Sequence, residues 1–274
     1  MNPFHLLHLE WKKFAPNGTF RILALFYVVF YILSTWLTFL IGQHSTFSFH
    51  GASINPAADL FTFPRLWELI AYIGSWLNLL VLGLMGVFLM TLELNNRTLR
   101  QNVISGLSRS EVFVGKISAV IAIAVVATCC YLLLGAVSGG LTSTSITLGT
   151  ALPAPDGILR YFVQSTGYLL LGLLIGLFIR QTALATIVYV IFFFIEFIFS
   201  QIVYWTIWKS RAVFLLPAHV LSNLIHFPVP KMVNNLVGSQ TMAGPTSDMG
   251  WIFATGYIVV FAGLIFWRLR KIDL

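Results

Sequence analysis

Few residues in this 274-residue chain could do chemistry, and they are scattered. Glu196 stands inside IVYVIFFFIEFIFSQIVYW and Asn78 inside IGSWLNLLVLG, each near the middle of an apolar run. A charged side chain at mid-bilayer costs about 2.5–3.5 kcal/mol on insertion scales, so Glu196 must face protein or water, or be protonated. Two roles fit it: a substrate-path or proton-linked carboxyl, or an interhelical hydrogen bond to a residue such as Asn78 or Gln201, worth about 1 kcal/mol. The second is the simpler. His44 with His50, or His219 with His226, could bind a transition metal, but solvated or loop-packing histidines account for all six, and neither metal nor cofactor is expected. Cys129 and Cys130 are adjacent, point to different helix faces and cannot easily bridge. Val114-Gly115-Lys116 imitates the tail of a phosphate loop. However, Ser110 stands where the first glycine is required and Ile117 in the hydroxyl position, so the chain cannot bind ATP by this route. Zinc-protease helices, nucleophile elbows and Cys-x-x-Cys pairs are missing as well. The chain reads as no enzyme.

Stronger local grammar lies between Leu92 and Lys116, LELNNRTLRQNVISGLSRSEVFVGK. Glu93 closes an apolar run, and a helical pattern can continue through Leu94, Leu99 and Val103. Gly106 marks a stop, where positive φ is cheap. Ser108-Arg109-Ser110-Glu111 is a capping box that starts the next helix. One helix should therefore end near Ser105 and another begin after Ser108, an ordered elbow with Arg97, Arg100 and Arg109 exposed. A merely solvated loop would need no such stop and restart.

The elements that must position these residues follow from composition. Charged residues make up 9% and hydrophobic ones 58% of the chain, with a mean hydropathy of +0.88; globular proteins carry about 25% charge. A soluble chain of this length could not hide so much apolar surface, so the fold is an all-α polytopic membrane protein, one domain over 1–274. Six spans, each near the ~20 residues that cross a hydrocarbon core, fall at about 20–41, 67–90, 117–138, 158–179, 183–205 and 250–267. Before them, residues 3–15 repeat Phe4, Leu7, Trp11 and Phe14 at helical spacing, with Glu10, Lys12 and Lys13 mostly on the other side. That pattern suits a helix lying in the membrane interface. No signal-peptide core precedes it, so the first span is its own insertion signal.

Lys and Arg set the orientation. With the N-terminus inside, Lys12, Lys13, Arg21, Arg97, Arg100, Arg109, Lys116, Arg180, Arg268, Arg270 and Lys271 lie inside. Arg65, Arg160, Lys209, Arg211 and Lys231 lie outside. Eleven against five makes both termini cytoplasmic. The same rule explains the net charge of +7, and no aromatic-basic motif points to nucleic acid. In the link 206–249, Phe214–Pro217 and Val220–Ile225 are too short to cross and suit a re-entrant pair of half-helices buried in protein; a plain external loop is the alternative. Gly172/Gly176 and Gly135/Gly139 allow close helix approach.

With the elbow and the layout in view, the chain resembles the permeases of ATP-binding-cassette type-2 transporters. Glu93, Thr98-Leu99, Gly106-Leu107-Ser108-Arg109 and Gly115-Lys116 match that family's cytoplasmic signature, with Arg97 in place of its usual Gly and Val114 in place of its usual Leu. The resemblance implies a half-transporter. Two permease chains, identical or sister subunits, would each dock an ATPase that carries ATP and Mg²⁺, through a coupling helix at Thr98–Ile104 and its flanks. The coupling set is Glu93, Thr98, Leu99, Arg100, Val103, Ile104, Gly106, Ser108 and Arg109. Glu196 and Asn78 are polar positions for a translocation path. The expected setting is a bacterial inner membrane, and the family exports lipids, lipid-linked glycans, peptides or drugs. A non-transporting membrane anchor of a cell-envelope machine is the alternative. An ion-coupled secondary transporter is less consistent, because it calls for internal repeats and paired intramembrane charges.

Overall fold

The computed structural model describes residues 3–44, 47–49, 52–54, 60–96, 98–104, 106–143, 152–203, 215–226 and 247–271. Helix α1 (Pro3–Phe14) leads into α2 (Gly18–His44). A short hairpin follows, β1 (Phe47–Phe49) antiparallel to β2 (Ala52–Ile54), with Phe47 opposite Ile54. Next, α3 (Arg65–Leu77) passes through a π turn at Asn78–Leu82 into α4 (Gly83–Asn95). The rest of the chain forms α5 (Thr98–Ile104), α6 (Arg109–Thr142), α7 (Pro155–Ile179), α8 (Thr182–Val203), α9 (Pro217–Ser222) and α10 (Ser247–Lys271). Apart from the hairpin, the described elements are helical. Six helical stretches are long and apolar enough to cross a membrane, in the order hydropathy predicts.

The bundle has a hub. In α7, 78% of the most apolar window is buried, and in α3–α4 67%, against 17% in α2 and in α8. Backbone contact explains the close approach of α4 and α7. A Cβ on Gly172 would lie 1.9 Å from the Gly83 carbonyl oxygen, and one on Gly86 would lie 2.2 Å from that of Leu169. Gly135 and Gly139 of α6 make room instead for the rings of Trp67 and Phe63. Both expected glycine pairs therefore sit at contacts a side chain would block.

Two departures from the sequence reading, at α1 and in the link 206–249, have local causes. Helix α6 starts at Arg109, directly after the Ser108 cap as expected, and the third span simply continues it. Its 34 residues extend about 51 Å, so one end stands clear of a ~30 Å hydrocarbon core. Helix α1 buries Leu6, Glu10 and Phe14 while Phe4 and Trp11 stay exposed. Glu10 is thus on an inward face, not a solvated one. In the link 206–249, the described residues 215–226 hold one six-residue helix: Val220 and Leu221 are buried, and Leu221 sits against Gly167 of α7. Phe214 and residues 227–246 lie outside the described residues.

Candidate functional site

The elbow is more segmented than its sequence suggests. Helix α4 ends at Asn95, Asn96 leaves helical geometry (φ −83°, ψ 0°), and α5 is a separate helix of seven residues. Asn95 Nδ2 donates to Thr182 Oγ1 at 2.7 Å, and Thr98 Oγ1 donates to the Glu93 carbonyl at 3.4 Å. Gly106 takes φ +99°. Ser108 Oγ then accepts the Glu111 amide at 3.2 Å, and Glu111 Oε2 accepts the Ser108 amide at 2.9 Å. The stop and restart stand where the sequence placed them. Arg97 and Ser105, and the side chains of Arg100 and Val103, lie outside the described residues.

The coupling set divides by burial. Ile104 is 76% exposed, whereas Leu99 is 3% exposed and belongs to the core. Leu99 holds α5 against the bundle, and among the described side chains of α5 Ile104 is the apolar one offered outward. The Arg109 guanidinium donates to the Arg270 carbonyl, tying the elbow to the end of α10. Glu93 does not sit at a surface: it is 3% exposed and faces inward.

Behind the elbow, four charges from three elements close on one another. Lys116 Nζ of α6, fully buried, lies 2.6 Å from Glu10 Oε2 of α1 and 2.9 Å from Glu93 Oε2 of α4. Lys13 Nζ lies 2.6 Å from Glu10 Oε1 and 2.8 Å from Glu93 Oε1. Two carboxylates and two ammonium groups leave no net charge. Lys116 also donates to the Leu89 carbonyl at 3.1 Å, and its ammonium stands 4.7 Å from the centre of the Phe14 ring. Burial works against the charge of Lys13, but the carboxylates of Glu93 and Glu10 outweigh it and hold its pKa above the ordinary lysine value. Sequence reasoning missed this quartet. Its one advance signal was Leu6, Glu10 and Phe14 at spacings of four, placing the carboxylate in an apolar stripe. Lys116, enclosed by carboxylates, is in no position to grip a phosphate.

Asn78 and Glu196 go to separate sites. Asn78, fully buried at the start of the π turn, accepts the hydroxyl protons of Tyr27 (2.8 Å) and Tyr161 (3.3 Å) on Oδ1, and its Nδ2 donates to Gln164 Oε1 at 3.4 Å. Gln164 Nε2 goes on to the Leu221 carbonyl at 2.9 Å, so the network links α2, α3–α4, α7 and α9. The π turn shifts the helical ladder, and Tyr189 of α8 donates to the Leu79 carbonyl within it at 2.6 Å. A Cβ on Gly83 would fall 1.6 Å from that Tyr189 hydroxyl.

Glu196 pairs with neither Asn78 nor, among the described side chains, any cation. The side chain of Gln201 lies outside the described residues. Glu196 Oε1 accepts the backbone amide of His219 at 3.0 Å, and Oε2 has no hydrogen-bond partner among the described residues. Ser200 Oγ donates to the Phe197 carbonyl at 2.7 Å and so accepts from His219 Nε2, also at 2.7 Å. The interhelical partner that the sequence called for exists, but it is the backbone of α9. Neither the models of known protein families nor the curated proteins match this chain.

Proposed function

We propose that this chain is the transmembrane subunit of an ATP-driven exporter, docked by a separate ATPase on α5. The observation that carries the reading is the rigid elbow. A short helix that turns the apolar Ile104 outward is bounded by a glycine stop and a capping box, and behind it a buried charge quartet joins α1, α4 and α6. A push on α5 is transmitted to three elements at once, which suits the rigid-body rearrangement of alternating access. Thr98, Leu99, Gly106, Ser108 and Arg109 shape and anchor the coupling helix, while Ile104, with Arg100 and Val103, supplies its contact surface.

On this reading α1 lies in the cytoplasmic interface of an inner membrane, with Phe4 and Trp11 toward lipid and both termini cytoplasmic by the Lys/Arg count. Helix α9 is a re-entrant element from the outer side. A second permease chain completes the pathway, and ATP and Mg²⁺ belong to the ATPase. The test is co-purification with candidate ATP-binding-cassette ATPases, followed by ATPase assays in lipid. Ile104→Asp should leave the six spans inserted and abolish docking. Failure of every ATPase to bind the folded wild-type chain overturns the reading.

A further inference from the structure

The wall of the bundle between the π turn and α8 holds a cavity of about 430 Å³, within the size range of small-molecule sites. Trp76, Leu80, Tyr189, Phe193, Phe194 and Phe197 supply half of its lining residues, and Glu196 and His219 stand at its polar end. Its rim faces outward: Trp76 is 57% exposed, Phe194 64% and Phe197 57%. These side chains lie along apolar spans, which in a bilayer would turn the opening toward the hydrocarbon core. Glu196, fourteen residues into α8, stands about 21 Å along that helix at 1.5 Å per residue.

The carboxyl in this cavity is only half satisfied. Oε1 takes the His219 amide, the Ala218 amide also faces the carboxyl, Oε2 has no hydrogen-bond partner among the described residues, and the residue as a whole is 6% exposed. The His219 ring is turned to Ser200, and no described cation pairs with Glu196. A packing role would leave the second oxygen matched, because an unpartnered acceptor in low dielectric is costly. What is lacking is a donor carrying positive charge, approached through aromatic faces that themselves attract cations.

We propose that this cavity binds a lipophilic amine, a single ammonium group on a hydrophobic body, taken up laterally from the membrane. The ammonium donates N–H to Glu196 Oε2, and the body lies against Trp76, Tyr189, Phe193 and Phe194. This deepens the exporter reading, on which it rests only for naming the ligand as cargo. Binding itself requires no ATPase, so loss of ATPase docking and loss of binding are separate results.

The experiment uses the full chain in phosphatidylcholine nanodiscs, a dansyl-labelled primary alkylamine, its N-acetylated neutral analogue, and empty nanodiscs as the partition control. Wild type should bind the ammonium probe saturably and about 10-fold or more tightly than the acetylated one, the factor expected for a charged hydrogen bond in a dry site. Glu196→Gln should bring the two probes close to equal. Leu80→Trp, which fills the rim and leaves the carboxyl untouched, should abolish saturable binding of both, and it keeps the test decisive if the Glu196 variant fails to fold. Equal affinities in wild type, no saturable binding beyond empty nanodiscs, a preference that survives Glu196→Gln, or binding unaffected by Leu80→Trp would each overturn the proposal.

Discussion

At the residue scale, the buried quartet turns individual charges into a structural joint. Removing one member leaves opposite charges unmatched in a dry site, which typically costs about 3–5 kcal/mol. Lys116→Met should destabilise by that order, because Lys13 alone must then neutralise both Glu10 and Glu93. Glu10→Gln combined with Lys116→Gln should cost less than the sum of the two single changes. A double-mutant cycle on unfolding in detergent measures the coupling. The pH dependence has a definite sign at Lys13. Its folded pKa lies above the unfolded value of 10.5, so its contribution is complete below that pH and is lost as pH rises through the folded value. Hydrogen exchange of α1 amides should therefore be insensitive to this lysine near neutrality and lose protection only above about pH 10.5. Beyond the apolar stripe that carries Glu10, the quartet leaves no mark in the sequence. Lys116 stands 106 residues from Glu10, and only folding reveals that the two share a site. Asn78 and Glu196 were conspicuous as polar interruptions, but their partners, a tyrosine pair and a backbone amide, leave no pattern in the sequence.

At the element scale, legibility followed locality. Ser108 and Glu111 meet within one helical turn and Gly106 needs only its own φ, so the stop and restart could be read directly. The span count was equally accessible, since crossing a hydrocarbon layer requires length and apolarity alone. The break at Asn96 was harder, because Leu94 and Leu99 permit a continuous helix and it is tertiary packing of Leu99 that turns α5 aside. The hub is more demanding still: glycine spacing suggested close approach without naming which helices meet. Gly172→Val tests the hub. Its added atoms would collide with the Gly83 carbonyl, and overpacking of this kind costs about 1–3 kcal/mol or more. Gly140→Val, where a Cβ meets nothing within 4 Å, serves as the matched control. Thermal unfolding in detergent should separate the two variants, and equal midpoints would show that α4 and α7 do not depend on backbone contact.

At the scale of the whole molecule, the weakly buried spans define what lies around the chain. Helices α2, α8 and α10 each turn long apolar faces outward, ample surface for lipid and for the second chain of the proposed transporter, whereas α1, α5, the start of α6 and the end of α10 gather at one end of the bundle. The Arg109–Arg270 contact and the α1–α6 ion pairs establish that grouping. On the proposed orientation this end is cytoplasmic, which a label can test. In a chain with Cys129 and Cys130 replaced by alanine, Ile104→Cys should resist a membrane-impermeant maleimide in intact cells and react once the membrane is opened. Reaction in intact cells would invert the topology and remove the docking surface from the side where ATP is found. Burial separates docking from folding at the same elbow. Leu99→Asp places a charge in the core and should lower the yield of folded chain. Ile104→Asp replaces an outward side chain and should leave folding intact while ATPase binding is lost. If both variants fold and both bind, α5 is not the place where the ATPase takes hold, however well ordered it is.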